Sequence, residues 1–116
     1  MKVEIKGTTY DLHYGNRLYI IYENAMSELG QDIDANSRVA QTTLVYATLQ
    51  ATLKYNKVDE TLTYDDVNDI IDDNGGMAFL VQFSKWFSEK VEAETALIKK
   101  VTEQPDDKPA KKKSRT

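Results

Sequence analysis

Residues 1–30 read MKVEIKGTTYDLHYGNRLYIIYENAMSELG, and the spacing of their apolar side chains changes near Gly15. Upstream, Val3 and Ile5 alternate with Lys2, Glu4 and Lys6, and Tyr10, Leu12 and Tyr14 alternate with Asp11 and His13. A period of two marks half-buried strands. Gly7-Thr8 supplies a turn between the two runs, so residues 2–14 are predicted to form a hairpin. An isolated hairpin is marginal in water and must pack on something; the helix that follows is the nearest candidate. Downstream of Gly15 the spacing is helical. Leu18, Ile21, Tyr22, Ala25 and Leu29 make one stripe of a helix over about 16–29, which Gly30 stops.

That helix has more apolar surface than one stripe needs. Tyr19, Ile20 and Met26 fall largely outside it, whereas a simple surface helix has a polar back. The extra face is expected to be covered, either by the hairpin or by another molecule.

Three further helices follow. QDIDANS is a polar connection in which Asn36 or Ser37 can cap the next element. A helix over about 37–55 places Val39, Thr42, Tyr46, Leu49 and Leu53 on one stripe, with Leu44, Val45, Ala47 and Ala51 on other faces. It should be central and buried on most sides. Its uncharged run, Val39 to Leu53, is too short and too interrupted by Thr and Gln to span a bilayer. After the loop NKVDET, Thr63 and Asp66 approximate a capping box at the start of a helix over about 64–74. Val67, Ile70 and Ile71 form its inward face, and Asn74, Gly75 and Gly76 end it. The last helix, about 77–101, is dense with large apolar groups in MAFLVQFSKWF and sparser in SEKVEAETALIKKV. Trp86 and Phe87 sit where that density falls away.

The predicted fold is thus mainly α (α+β): an N-terminal hairpin, a four-helix, mostly antiparallel bundle over residues 1–101, and a disordered basic tail over 102–116. The 116-residue length suits one domain with one core. The tail holds five bases against three acids and two-prolines' worth of interruption, with nothing to bury. Residues 1–101 carry ten bases against sixteen acids, a net −6 within a total of −4. An acidic body argues against a nucleic-acid-binding face, which needs clustered Lys and Arg. The basic tail reads as a solvated segment, with weak electrostatic tethering as its one other use.

Catalytic equipment is scarce. There is no cysteine, so neither disulfides nor thiolate chemistry are open to the chain, as suits a reducing cytoplasm. The N-terminus lacks the basic-then-apolar profile of a signal peptide. The single histidine, His13, falls on a predicted strand at a solvent-facing position. No Gly-rich phosphate loop is present. Asp65, Asp66, Asp69, Asp72 and Asp73 crowd one short helix, but counting back from Gly75 or Gly76 as the sixth position of a calcium loop puts Ile70 or Ile71 at its first. A solvated face favoured by the helix dipole is the expected role of these acids. No enzyme, no cofactor and no metal are expected. Seven tyrosines remain, a residue type suited to surfaces alternately wet and buried. Tyr19, Ile20, Met26, Trp86 and Phe87 are the expected protein-binding residues.

The order of elements resembles the tail assembly chaperones of long-tailed, siphovirus-like bacteriophages. The likeness lies in MKVEIKGTTYDLHYGNRLYIIYE, with its Gly-centred hairpin, aromatic, Gly and helix, then in the uncharged helix, the acidic LTYDDVNDIIDD and the apolar MAFLVQFSKWF. It covers roughly residues 1–90 in order and character. The resemblance implies a small non-enzymatic protein in the cytoplasm of an infected bacterial host. Such a protein self-associates, binds and solubilises the tape-measure protein, helps recruit tail-tube subunits, and leaves before the virion is complete. It further implies a longer form made by ribosomal frameshifting, for which an A-rich stretch encoding Lys111, Lys112 and Lys113 would be the place. The residues themselves also admit a small regulatory or nucleic-acid-associated protein using the basic tail, or a structural tail or connector subunit.

Overall fold

A computed structural model describes residues 1–30, 34 and 36–103. The elements are β1 (Lys2–Ile5), β2 (Thr8–Asp11), α1 (Asn16–Leu29), α2 (Arg38–Tyr55), α3 (Tyr64–Asp73) and α4 (Met77–Glu103). The hairpin followed by four helices is the predicted order. Of the segment 102–116 expected to be disordered, Thr102 and Glu103 belong to α4, and residues 104–116 lie outside the described residues. The chain falls into two compact units, Met1–Ser84 and Lys85–Thr116, so α4 contributes to both.

The hairpin turns one residue earlier than predicted. β1 and β2 are antiparallel with Val3 opposite Tyr10 and Ile5 opposite Thr8, leaving Lys6-Gly7 as the loop. Both loop residues have positive φ, 50° and 89°, as a two-residue I′ turn requires. Turning at Gly7-Thr8 would set Glu4 opposite Asp11, two like charges across the ladder. The observed register instead sets Lys2 opposite Asp11, and their side chains meet at 3.0 Å. Lys6 accepts the left-handed conformation while its ammonium pairs with Glu60 and, at 3.5 Å, with Asp66. The strand character of residues 12–14 is lost, although Leu12 N–H still donates to Met1 C=O at 2.8 Å.

Val3, Ile5 and Leu12 are buried. The polar ties of β1 and its turn to other elements run to Glu60, to Asp66 of α3 and to Asn74 just past α3. The Asn74 side chain accepts from Glu4 N–H at 3.2 Å and donates to Glu4 C=O at 3.1 Å, so it pairs with the outer edge of β1 as a neighbouring strand would. Edge strands with open hydrogen-bonding groups invite pairing with other chains, and Asn74 blocks that edge at Glu4.

α1 starts and stops where its glycines predict. Leu18 and Ala25 are buried, but Leu29, assigned to the inward stripe, is exposed. α1 packs on α2, and α2 on α3. α2 is capped by Ser37, whose hydroxyl accepts from Ala40 N–H at 3.1 Å. Every residue from Ala47 to Leu53 is buried, so α2 is the central helix. Its outer stripe differs from the predicted one: Val39 is exposed and Thr43 buried. Thr43 suits the site because its hydroxyl donates back to Val39 C=O at 2.7 Å and also meets the Tyr64 hydroxyl. Thr48 and Thr52, also buried in α2, donate back to Leu44 C=O and Thr48 C=O in the same way, as burial demands.

Both halves of the α3 capping box form. Thr63 accepts from Asp66 N–H at 3.1 Å, and the Asp66 carboxylate accepts from Thr63 N–H at 2.9 Å. The Thr63 backbone donor is the main reason the Asp66 carboxyl sits below its ordinary range, with the Thr63 hydroxyl and Lys6 adding to it. A folded-state value below the unfolded one stabilises the fold above about pH 4 and is lost as pH falls through the lower folded value. An NMR titration should therefore place the Asp66 carboxyl below the ordinary aspartate range; a titration at the ordinary value would mean that the box is open in solution.

Candidate functional site

The five residues expected to bind protein divide by unit. Tyr19, Ile20 and Met26 belong to the first unit, Trp86 and Phe87 to the second. Ile20 is 51 % exposed on α1, whereas Tyr19 and Met26 are half-buried. The Tyr19 hydroxyl shares a hydrogen bond with Tyr14, and their rings meet edge to face with centroids 5.8 Å apart. Tyr19 is therefore held by its own chain rather than offered outward. Trp86 is only 9 % exposed, with Lys90 Nζ 6.0 Å from its ring centroid, and Phe87 is half-buried. Trp86 thus has little open surface in the single chain, and of the five Ile20 alone is broadly exposed.

A more extensive apolar surface lies farther along α4, in the half whose composition looks sparse. Leu80, Phe83, Phe87, Val91, Ile98 and Val101 share one helix face at helical spacing, interrupted there by Glu94. Their cover falls away along the helix. Leu80 and Phe83 are buried, Phe87 and Val91 half-buried, Ile98 56 % exposed and Val101 67 % exposed. Leu97 beside them is exposed as well. The seven-residue steps from 80 to 87, 94 and 101 and from 91 to 98 were the available signal. Dense charge between those positions in SEKVEAETALIKKV masks it when residues are only counted.

Among the described residues, no group of three or more His, Asp or Glu side chains is placed to hold a metal ion. No described helix is long and apolar enough to cross a membrane. The α3 acids stand instead as cap and helix surface: Asp66 serves the box, while Asp65, Asp69, Asp72 and Asp73 are exposed. Gly75 and Gly76 close α3, with Gly75 N–H donating to Asp72 C=O at 3.3 Å and Gly76 N–H to Ile71 C=O at 2.8 Å. His13 departs from its expected position. It lies beyond β2, is half-buried, and stacks on Tyr55 with ring centroids 3.8 Å apart and an interplanar angle of 12°.

Compared with family models, with curated proteins and with solved structures, the chain matches none.

Proposed function

We propose that this protein is a tail assembly chaperone of a long-tailed bacteriophage, acting in the cytoplasm of the infected host. It would bind the tape-measure protein, keep it soluble, and help recruit tail-tube subunits to it. The observation that carries the reading is the uncovered apolar surface of distal α4, Leu97, Ile98 and Val101. A helix face of this spacing takes another helix as its partner, with apolar anchors at i, i+3, i+4 and i+7. Tape-measure proteins are long and helical, and a second copy of α4 would cover the same face before the client arrives. The sequence resemblance over residues 1–90 supports the assignment, and the acidic body keeps such a surface in solution between partners.

The test is co-expression with the very long, helix-rich protein encoded next to it. The expected result is a larger soluble fraction of that neighbour and its co-purification with this chain. Equal aggregation with and without the chain overturns the proposal. A chaperone should also be missing from finished particles; its presence there in stoichiometric amounts would make it a structural subunit.

A further inference from the structure

A second feature lies wholly within the first unit and owes nothing to the apolar face. Where α1 begins and α2 ends, a cleft of about 360 Å³ is lined by His13, Arg17, Ala51, Lys54, Tyr55 and Lys57. Three of these are cations and none is an acid, on a body whose net charge is −6. Among the described residues, no carboxylate lies within ion-pair distance of Arg17, Lys54 or Lys57.

The local structure concentrates this charge. Lys54 lies in the last turn of α2, where a cation complements the helix dipole. That accounts for one charge of the three. Lys57 follows in the left-handed region at φ 63°. Its N–H donates to Lys54 C=O at 3.1 Å while Val58 N–H donates to Leu53 C=O at 2.9 Å, the pairing of a Schellman closure. α3 closes with the same pattern and puts Gly75 at the equivalent position, φ 117°. A lysine where glycine fits best costs conformational energy, and this lysine lines the cleft. Arg17 comes from the first turn of α1, which has neither a side-chain cap nor an acidic residue to offset its exposed N–H groups.

An aromatic platform completes the cleft. Thr52 Oγ1 accepts from His13 N–H at 3.0 Å, fixing the residue against α2. The His13 ring lies over Gly15, where an added Cβ would stand 3.0 Å from Nε2. One face of Tyr55 is thereby covered, yet Tyr55 remains 63 % exposed, so its open surface is the opposite face and edge.

We infer that this cleft binds a nucleotide, its phosphates held by Arg17, Lys54 and Lys57 and its base stacked on Tyr55. Guanidinium and ammonium groups around a helix N-terminus suit phosphate oxygens, and the volume falls in the range of small-molecule sites. Stacking on an aromatic face accepts any base, so the site selects nucleotides over inorganic phosphate without selecting one base strongly.

The full chain, isotope-labelled, is titrated with ADP, adenosine, inorganic phosphate and a short oligothymidylate, and amide shifts are followed. Saturable shifts with ADP at millimolar concentration, centred on residues 13–17 and 51–58, are expected, with weaker binding of phosphate and of adenosine. Lys57→Gly should raise the melting temperature, because glycine suits the left-handed position, while weakening ADP binding about tenfold, one charge-assisted contact. That opposed pair of changes separates a ligand role from a structural one. Tyr55→Leu should abolish the preference for ADP over phosphate. Absence of saturable shifts with ADP, equal binding of phosphate and ADP, or binding of the oligothymidylate alone would each overturn the inference; the last would make the cleft a single-strand nucleic-acid contact.

Discussion

Gln50→Ala is expected to lower the stability of the fold by about 3 kcal/mol, most of it from two hydrogen bonds and the rest from the cavity left behind. Gln50 lies on the central helix with only 4 % of its surface exposed. Its Nε2 donates to Glu60 C=O at 2.7 Å, and its Oε1 accepts from Leu62 N–H at 2.8 Å. One side-chain amide thus fixes both ends of the turn into α3, and Leu62 is itself buried at 2 % exposure. Without the amide, the Leu62 N–H loses its partner in a place where water does not readily replace it, which makes the loss costly. Urea denaturation of the wild type and the variant checks the value. Gln50→Met separates the contributions, since methionine keeps the length and volume and removes only the hydrogen bonds. It should retain about two-thirds of the loss. Equal stability of Gln50→Met and wild type would show that the loop is held by its apolar contacts alone.

The second large effect concerns binding and leaves the fold intact. Under the chaperone proposal, Ile98→Gln combined with Val101→Gln should weaken association with the proposed helical client by about a hundredfold, as expected for removing two aliphatic anchors. Both positions are exposed in the single chain, so stability should move by no more than about 0.5 kcal/mol per site. Glutamine is chosen because it favours the helix almost as well as leucine does, so α4 itself is not weakened. Lys100→Gln, one residue from the stripe's end, is the matched control and should leave affinity nearly unchanged. Pull-down titration against the tape-measure protein and sedimentation of the free chain measure both consequences. If the double variant binds its client as the wild type does, the stripe is surface that happens to be apolar, and the chaperone proposal loses its supporting observation.

These expectations fall on residues that the sequence ranks very differently. Gln50 reads as an interruption in an apolar run, and only its distance from Glu60 and Leu62 in the folded chain makes it important. Ile98 and Val101 lie in a half-helix that looks mostly charged, although their spacing from Phe87 and Val91 was there to be read. Trp86, the more conspicuous side chain, is buried. Trp86 stands where the apolar density of α4 falls away; whether a side chain on a long helix finds cover depends on what the rest of the chain places beside it.

What the sequence determined by itself was the set of elements and most of their ends. Gly15 and Gly30 bound α1, Ser37 starts α2, Thr63 with Asp66 starts α3, and Gly75-Gly76 close it. Each signal acts through backbone groups no more than about four residues away, so nothing distant is needed to read it. Tertiary structure decided the rest: the turn at Lys6-Gly7, the exchange of Val39 for Thr43 in the core, the Asn74 clasp on Glu4, and the stack of His13 on Tyr55 across 42 residues. Those outcomes depend on which face meets which neighbour. A helical period states that a face exists and leaves open what will cover it, because burial is a property of two surfaces and the sequence of one element describes only its own.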